Sequence, residues 1–276
     1  MLQIVNPSPL EAGLSLFTDP RGRDVVSVAV KGTFRMPLPG EQPALADEQI
    51  PVRHADGPPS DVDGLCAYPA DLVLGKVATD VGLDGSAYTP GGRPVASATT
   101  SVSVGNLTKT AWIGSETPWV RTPLRSFLFA APFDKRRRQY AGTYDADWRQ
   151  QHFPLLPSDF DLRFFNAAAP ELVADGFLQG GERVTLVNVS PRGREEFSLP
   201  ALHVWLQFRE VNDAVTQKAD LWNIVFEPDR SCFSLTWGCT HALGKQPSRL
   251  REIEIRTSGD TASVQRTSPA VLQQPT

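Results

Sequence analysis

The run Cys232-Phe-Ser-Leu-Thr-Trp-Gly-Cys239 sets Phe233, Leu235, Trp237 and Cys239 on one side of an extended chain and Ser234, Thr236 and Gly238 on the other. That alternation predicts a half-buried β-strand. Upstream of it, residues 221–226 lead in through the turn Glu227-Pro-Asp-Arg. Residues 202–211 turn at Asn212-Asp213, and residues 183–189 turn through Ser190-Pro-Arg-Gly into 195–199. Residues 251–256 form the last expected strand. Near the start, residues 14–18 and 24–35 flank Asp19-Pro-Arg-Gly-Arg23, a hairpin signal, and Val26, Val28 and Val30 alternate with smaller neighbours. A proline-rich connection covers 36–59. Residues 77–87 and 95–104 around Thr89-Pro-Gly-Gly-Arg-Pro94, with 108–113 after Gly105-Asn106, read as an antiparallel meander, and 126–130 as one more strand.

With 24 prolines and 21 glycines spread through 276 residues, uninterrupted helices are expected to be few. The expectation is a mainly β fold, an antiparallel β-sandwich or paired β-sheets, with a short helix and a long ordered loop inserted between two β halves. The expected single domain spans 1–257, with halves of about 1–131 and 183–257 and an insert at 132–182, followed by a flexible tail at 258–276.

The formal charge of −4 argues against a nucleic-acid-binding chain. No apolar run approaches the ~20 residues that cross a bilayer, and the N-terminus has no signal-peptide pattern. Three cysteines, Cys66, Cys232 and Cys239, suit a reducing compartment, so a cytoplasmic location is expected.

The insert is the least regular part. Asp145 can cap a short helix at Trp148, and Pro154 and Pro157 prevent its continuation. The loop beyond carries Phe153, Leu155, Leu156, Phe160, Phe164 and Phe165, too many large apolar groups for a solvated connection. The phenylalanines are expected to brace the fold and part of the Pro154-Leu-Leu-Pro157 turn to be exposed.

Motifs for phosphate loops, nucleophile elbows and zinc helices are absent, and none of the four histidines pairs with another at metal-ligand spacing. Cys239-x-His241 reads as a buried cysteine beside a strand-end histidine rather than a zinc half-site. Asp159 and Asp161 invite an acid–base or calcium reading, but turn capping accounts for them better. Lys135-Arg-Arg-Arg138 reads as a solvated turn rather than a partner-binding run. Gly180-Gly181 before Glu182 suits a tight turn, because a strand follows and no helix N-terminus is available for an anion. Trp112, Trp119, Trp205, Trp222 and Trp237 read as core, and Trp148 as the exception.

Several segments resemble the bacterial domain-of-unknown-function family twenty-one-sixty-nine: Lys31-Gly-Thr-Phe34, Pro69-Ala-Asp-Leu-Val73, Ala87-Tyr-Thr-Pro-Gly-Gly92, Gly142-Thr-Tyr-Asp145 with Trp148, Phe153-Pro-Leu-Leu-Pro157 with Asp159-Phe-Asp161, Gly180-Gly-Glu182, Leu199-Pro200 and Glu227-Pro-Asp229. The central block is the specific part. The resemblance covers about residues 6–255. It implies a non-enzymatic accessory of type VI secretion, an adaptor or chaperone that helps load an effector or PAAR-tip protein onto the VgrG spike. It supplies no catalytic residue, metal or cofactor, and neither nucleic acid nor a membrane is an expected partner. Trp148, Phe153, Leu155, Leu156 and Phe160, rimmed by Asp159, Asp161 and Arg163, are the expected protein-binding residues. The alternatives are a hydrolase or carbohydrate-active enzyme with a site assembled from distant loops, using carboxylates such as Asp159 and Asp161, and a small-ligand-binding β-sandwich.

Overall fold

The strand Cys232–Ala242 lies at the middle of the largest sheet, whose order is Glu11–Thr18, Asp24–Arg35, Cys232–Ala242, Asp220–Glu227, Asp80–Leu83. A computed structural model describes residues 2–60, 62–244 and 247–259 of the chain. Neighbouring strands of the sheet are antiparallel, except that Asp80–Leu83 runs parallel to Asp220–Glu227. A short strand, Ala44–Leu45, pairs with the end of Asp24–Arg35.

Two four-stranded sheets accompany it. One runs Arg194–Ser198, Arg183–Val187, Val95–Val104, Leu107–Trp119, and the other Gln3–Val5, Leu250–Gly259, Leu202–Glu210, Ala214–Lys218. The fold is mainly β, with no closed barrel among the described residues. Each of these three sheets takes strands from both sides of the insert, so residues 1–131 and 183–257 share their sheets. The last strand reaches Gly259, taking in Ser258 and Gly259 of the expected tail. The remainder of that tail lies outside the described residues.

Two local expectations are corrected. The run 77–87 is split: Asp80–Leu83 joins the central sheet, while Gly85–Tyr88 pairs with Arg121–Leu124. Pro90–Gly92 is a 3₁₀ turn and not the tip of a hairpin. The amides on its approach are committed elsewhere, Tyr88 N–H to Asn188 O at 2.8 Å and Thr89 N–H to Val120 O at 3.0 Å. The hairpin partner of Val95–Val104 is instead Leu107–Trp119, across Gly105-Asn106.

One apolar cluster joins the three sheets through Val28 and Val30, Val104 and Leu186, and Phe208 and Ile255. Phe233 stands between Phe34 and Phe197, at ring-centroid distances of 5.5 and 5.4 Å. Burying such side chains stabilises by about 1.5–3 kcal/mol each.

The strand Cys232–Ala242 is buried on both faces from Cys232 to Cys239, not half-buried as its alternation suggests. Its second face carries a closed polar layer. Lys31, Thr236, Asn223 and Asp80 stand opposite one another across adjacent strands. Lys31 Nζ reaches Asp71 at 2.7 Å, and the same carboxyl group accepts from Thr236 Oγ1 and from the amide of Arg53, each at 2.8 Å. Lys76 Nζ reaches Asp80 at 2.6 Å and Asn223 Oδ1 at 2.7 Å. Burial draws the pKa of both lysines down, and their carboxylate partners oppose that shift. Pairing is what makes such charges tolerable in a core.

Aromatic rings cover glycines at three sheet positions. An added Cβ on Gly238 would come within 2.1 Å of the Trp222 ring, on Gly114 within 2.1 Å of Trp112, and on Gly82 within 2.2 Å of Phe129. Trp222 and Trp237 are core, as expected. Trp112 (71 % exposed) and Trp205 (37 %) are not. Trp112 sits on an edge strand and spends one ring face on Gly114, while Trp205 Nε1 donates to Ser258 Oγ at 3.1 Å.

Candidate interaction site

The insert begins with a single helical turn, Lys135–Arg138, capped by Asp134, whose carboxylate accepts from Arg136 N–H at 2.8 Å. The basic run is not wholly solvated. Arg137 turns inward, donates to Phe164 O at 2.9 Å and Ala130 O at 3.1 Å, and pairs with Asp56 at 2.5 Å. Its guanidinium also lies 4.8 Å from the Phe164 ring centroid.

The short helix expected after Asp145 spans Ala146–Gln151, with the Asp145 carboxylate accepting from Trp148 N–H at 2.8 Å. The chain then folds back, and Trp148 Nε1 donates to Leu155 O at 2.9 Å. This bond holds the Pro-Leu-Leu-Pro turn under the indole. Trp148 is flanked edge-on by Tyr144 at 4.7 Å and Phe153 at 5.7 Å. Such pairs contribute about 0.5–1.5 kcal/mol each beyond area burial. Phe153 is 67 % exposed and Tyr144 53 %, with Trp148 half-buried between them. Leu155 and Leu156 are half-buried, and Leu155 lies over the first hairpin turn, 3.3 Å from the place of a Cβ on Gly22.

The other predicted residues form a second group. Phe160 packs with Phe164 and Phe165 at centroid distances of 5.5 and 5.7 Å, all half-buried. Asp161 caps the 3₁₀ turn Leu162–Phe165 and accepts from the Arg163 side chain, and Arg163 lies over Tyr140 at 4.7 Å. The hydrogen bonds from Arg163 hold the Asp161 carboxyl below its ordinary range. Asp159 is held low by a different partner, accepting from Thr143 N–H at 3.0 Å and Thr143 Oγ1 at 2.8 Å. The two carboxylates therefore cap separate turns. The phenylalanines divide accordingly: Phe160, Phe164 and Phe165 brace the insert, while Phe153 faces outward against expectation.

A cleft of about 280 Å³ adjoins the exposed rings, lined by Asp145, Asp147, Trp148, His152 and Asp159 among others; Asp161 does not line it. A larger cavity of about 560 Å³ lies away from the insert, between Pro37 and Pro39 on one wall and Arg192 and Arg194 on the other.

Elsewhere, Cys239 Sγ donates to Gln217 Oε1 at 2.9 Å, and burial pushes its pKa up to about 12. His241 stacks on Phe208 at 4.4 Å, and burial lowers its pKa. Among the described residues, no three His, Cys, Asp or Glu side chains converge as a metal site. Gly180 and Gly181 both take positive φ, and a Cβ on Gly180 would meet Pro200 O at 2.6 Å, so turn geometry explains them.

The model of a family described as uncharacterized proteins conserved in bacteria, DUF2169, matches residues 21–125 and 113–238. The chain belongs to this family. No curated protein and no solved structure matches it. The second DUF2169 segment contains the whole insert, including all eight predicted binding residues from Trp148 to Arg163. No helix among the described residues is long and apolar enough to cross a membrane.

Two residues that matter here were not singled out in the sequence. Tyr144 precedes Trp148 by four positions, a spacing that could have flagged the ring pair. Arg137 carries no local signal distinguishing it from its exposed neighbours.

Proposed function

We propose that this DUF2169 protein is a non-enzymatic accessory protein of type VI secretion. It would act in the cytoplasm as an adaptor or chaperone, helping load an effector or PAAR-tip protein onto the VgrG spike. The observation that carries the adaptor reading is the exposed ring cluster of Tyr144, Trp148 and Phe153, built on an insert fixed by buried contacts. Rigid aromatic side chains supply contact area at little entropic cost, and an apolar centre beside polar groups is the anatomy of a protein interface. The secretion context rests on the family resemblance of the central block.

The hydrolase reading draws less support, because Asp159 and Asp161 hydrogen-bond to different partners and do not share a cleft. The 560 Å³ cavity favours, as a second reading, a small ligand between Pro37 and Arg192, which thermal-shift screening of metabolites would reveal.

The test is a Tyr144→Ser, Phe153→Asp double variant, since both side chains are mostly exposed and their loss leaves the core intact. Co-purification with spike, PAAR or effector proteins is expected to be lost with an unchanged circular dichroism spectrum. Undiminished capture would overturn the reading.

A further inference from the structure

Lys76, Asp80 and Asn223 meet inside the closed polar layer, and nothing in the adaptor reading uses them. The Lys76 and Asp80 side chains are 1 % and 0 % exposed, and Asn223 is fully buried. Lys76 Nζ lies 2.6 Å from Asp80 Oδ2 and 2.7 Å from Asn223 Oδ1. The Asp80 carboxyl group is itself positioned, by Ala167 N–H at 2.7 Å and Asn166 Nδ2 at 3.0 Å. Asn223 Nδ2 is buried with no hydrogen-bond partner among the described residues. An ordinary structural asparagine in a core spends both ends of its amide, because a buried donor left unmade costs about 1–3 kcal/mol. Here the carbonyl end is engaged by an amine, and the nitrogen end meets no acceptor among the described residues.

An amine, a carboxyl group and a carboxamide in contact, away from water, are the complete set of groups for an amide exchange. We propose that Lys76 and Asn223 become joined by an intramolecular isopeptide bond, with Asp80 transferring the protons.

As Nζ attacks, Lys76 gives a proton to the Asp80 carboxylate across their 2.6 Å contact, which frees the amine lone pair. Reacting atoms poised for attack lie about 3–3.5 Å apart. Nζ, already hydrogen-bonded to Oδ1, reaches Asn223 Cγ by a small torsional adjustment. The Nζ lone pair forms a bond to Cγ, and the C=O electron pair moves onto Oδ1. As the carbonyl re-forms, the Cγ–Nδ2 bond breaks. Asp80 relays protons to the departing nitrogen, which leaves as ammonium, and Asp80 ends ionised. One N–C bond forms and one breaks, with no change of oxidation state and no co-reactant. The product links the segment before Asp80–Leu83 to the strand Asp220–Glu227, which already lies parallel beside it.

Intact mass of the purified, denatured full chain decides this. The wild type is expected about 17 Da below the mass its sequence gives, the mass of one ammonia. Digestion should yield one branched peptide containing both Lys76 and Asn223. Lys76→Arg and Asp80→Asn should each carry the full mass of their own sequences. A wild-type chain at full sequence mass overturns the proposal. So does a loss of the same size that persists in Lys76→Arg, which would place the chemistry elsewhere. The wild-type reading stands even if a variant fails to fold.

Discussion

Arg137 and Asp56 form a 2.5 Å ion pair that fastens the insert to the segment leading into Pro69-Ala-Asp-Leu-Val73. Their side chains are only 4 % and 14 % exposed, and the second Asp56 oxygen accepts from Ala70 N–H at 2.7 Å. The pair, not the neighbouring basic residues, holds the ring-bearing insert in place.

Replacing Arg137 by Met should therefore cost about 3–5 kcal/mol, the range for breaking a buried pair and leaving one charge behind. Arg138, exposed on the same helical turn, should cost less than about 0.5 kcal/mol when changed to Ala. Urea unfolding of both variants measures the difference, and equal losses would mean that the pair does not hold the insert.

Gly238→Ala should destabilise by about 1–3 kcal/mol, because its new methyl group would stand 2.1 Å from the Trp222 ring. Shrinking the ring in a Gly238→Ala, Trp222→Leu double variant should recover part of the loss attributed to the clash. A double-mutant cycle showing strict additivity would refute the contact.

Much of this fold was legible in local pattern, and what was not has a common cause. The hairpin at Asp19-Pro-Arg-Gly-Arg23 and the cap of Asp145 on Trp148 are short-range events that residue types specify directly. The parallel pairing of Asp80–Leu83 with Asp220–Glu227 joins segments far apart in the chain, and no local periodicity encodes it. The polar layer misled for a sharper reason. Ser234 and Thr236 alternate with Phe233 and Leu235 as a solvent face would, but both are buried, and Asp71 accepts from Thr236 Oγ1. Lysine and aspartate set within apolar runs, at Lys31 and Asp71, were the available signal. In the site, the exposure of Phe153 beside the half-burial of Phe160 depends on which side of the fold-back at Leu155 each residue falls.

Acid should weaken the fold through His241. Burial against Phe208 lowers its folded pKa below the unfolded value, with Glu210 at 3.9 Å only partly opposing this. The unfolded chain then takes the proton first, so the neutral-imidazole contribution is present above the unfolded pKa of about 6.5 and declines as pH falls through it. Between about pH 7.5 and 5.5, the wild type should lose stability more steeply than His241→Gln, as followed by denaturant midpoints. Parallel slopes would show that the histidine is not responsible.

Gly180→Ala should also destabilise, since φ of +89° and the 2.6 Å approach to Pro200 O both exclude a side chain there. A loss of about 1–3 kcal/mol is expected. Gly176→Ala, which meets nothing within 4 Å, serves as the control in the same thermal melts.

The adaptor account is tested most directly by photo-crosslinking in the native cell, with a photoreactive phenylalanine placed at Phe153 in one strain and at Trp112 in another. Both positions are exposed, but only Phe153 belongs to the ring cluster of the insert. The account predicts adducts to a VgrG, PAAR or effector protein from position 153 and none from 112. Absence of such adducts at 153, or equal yields at the two positions, would contradict it.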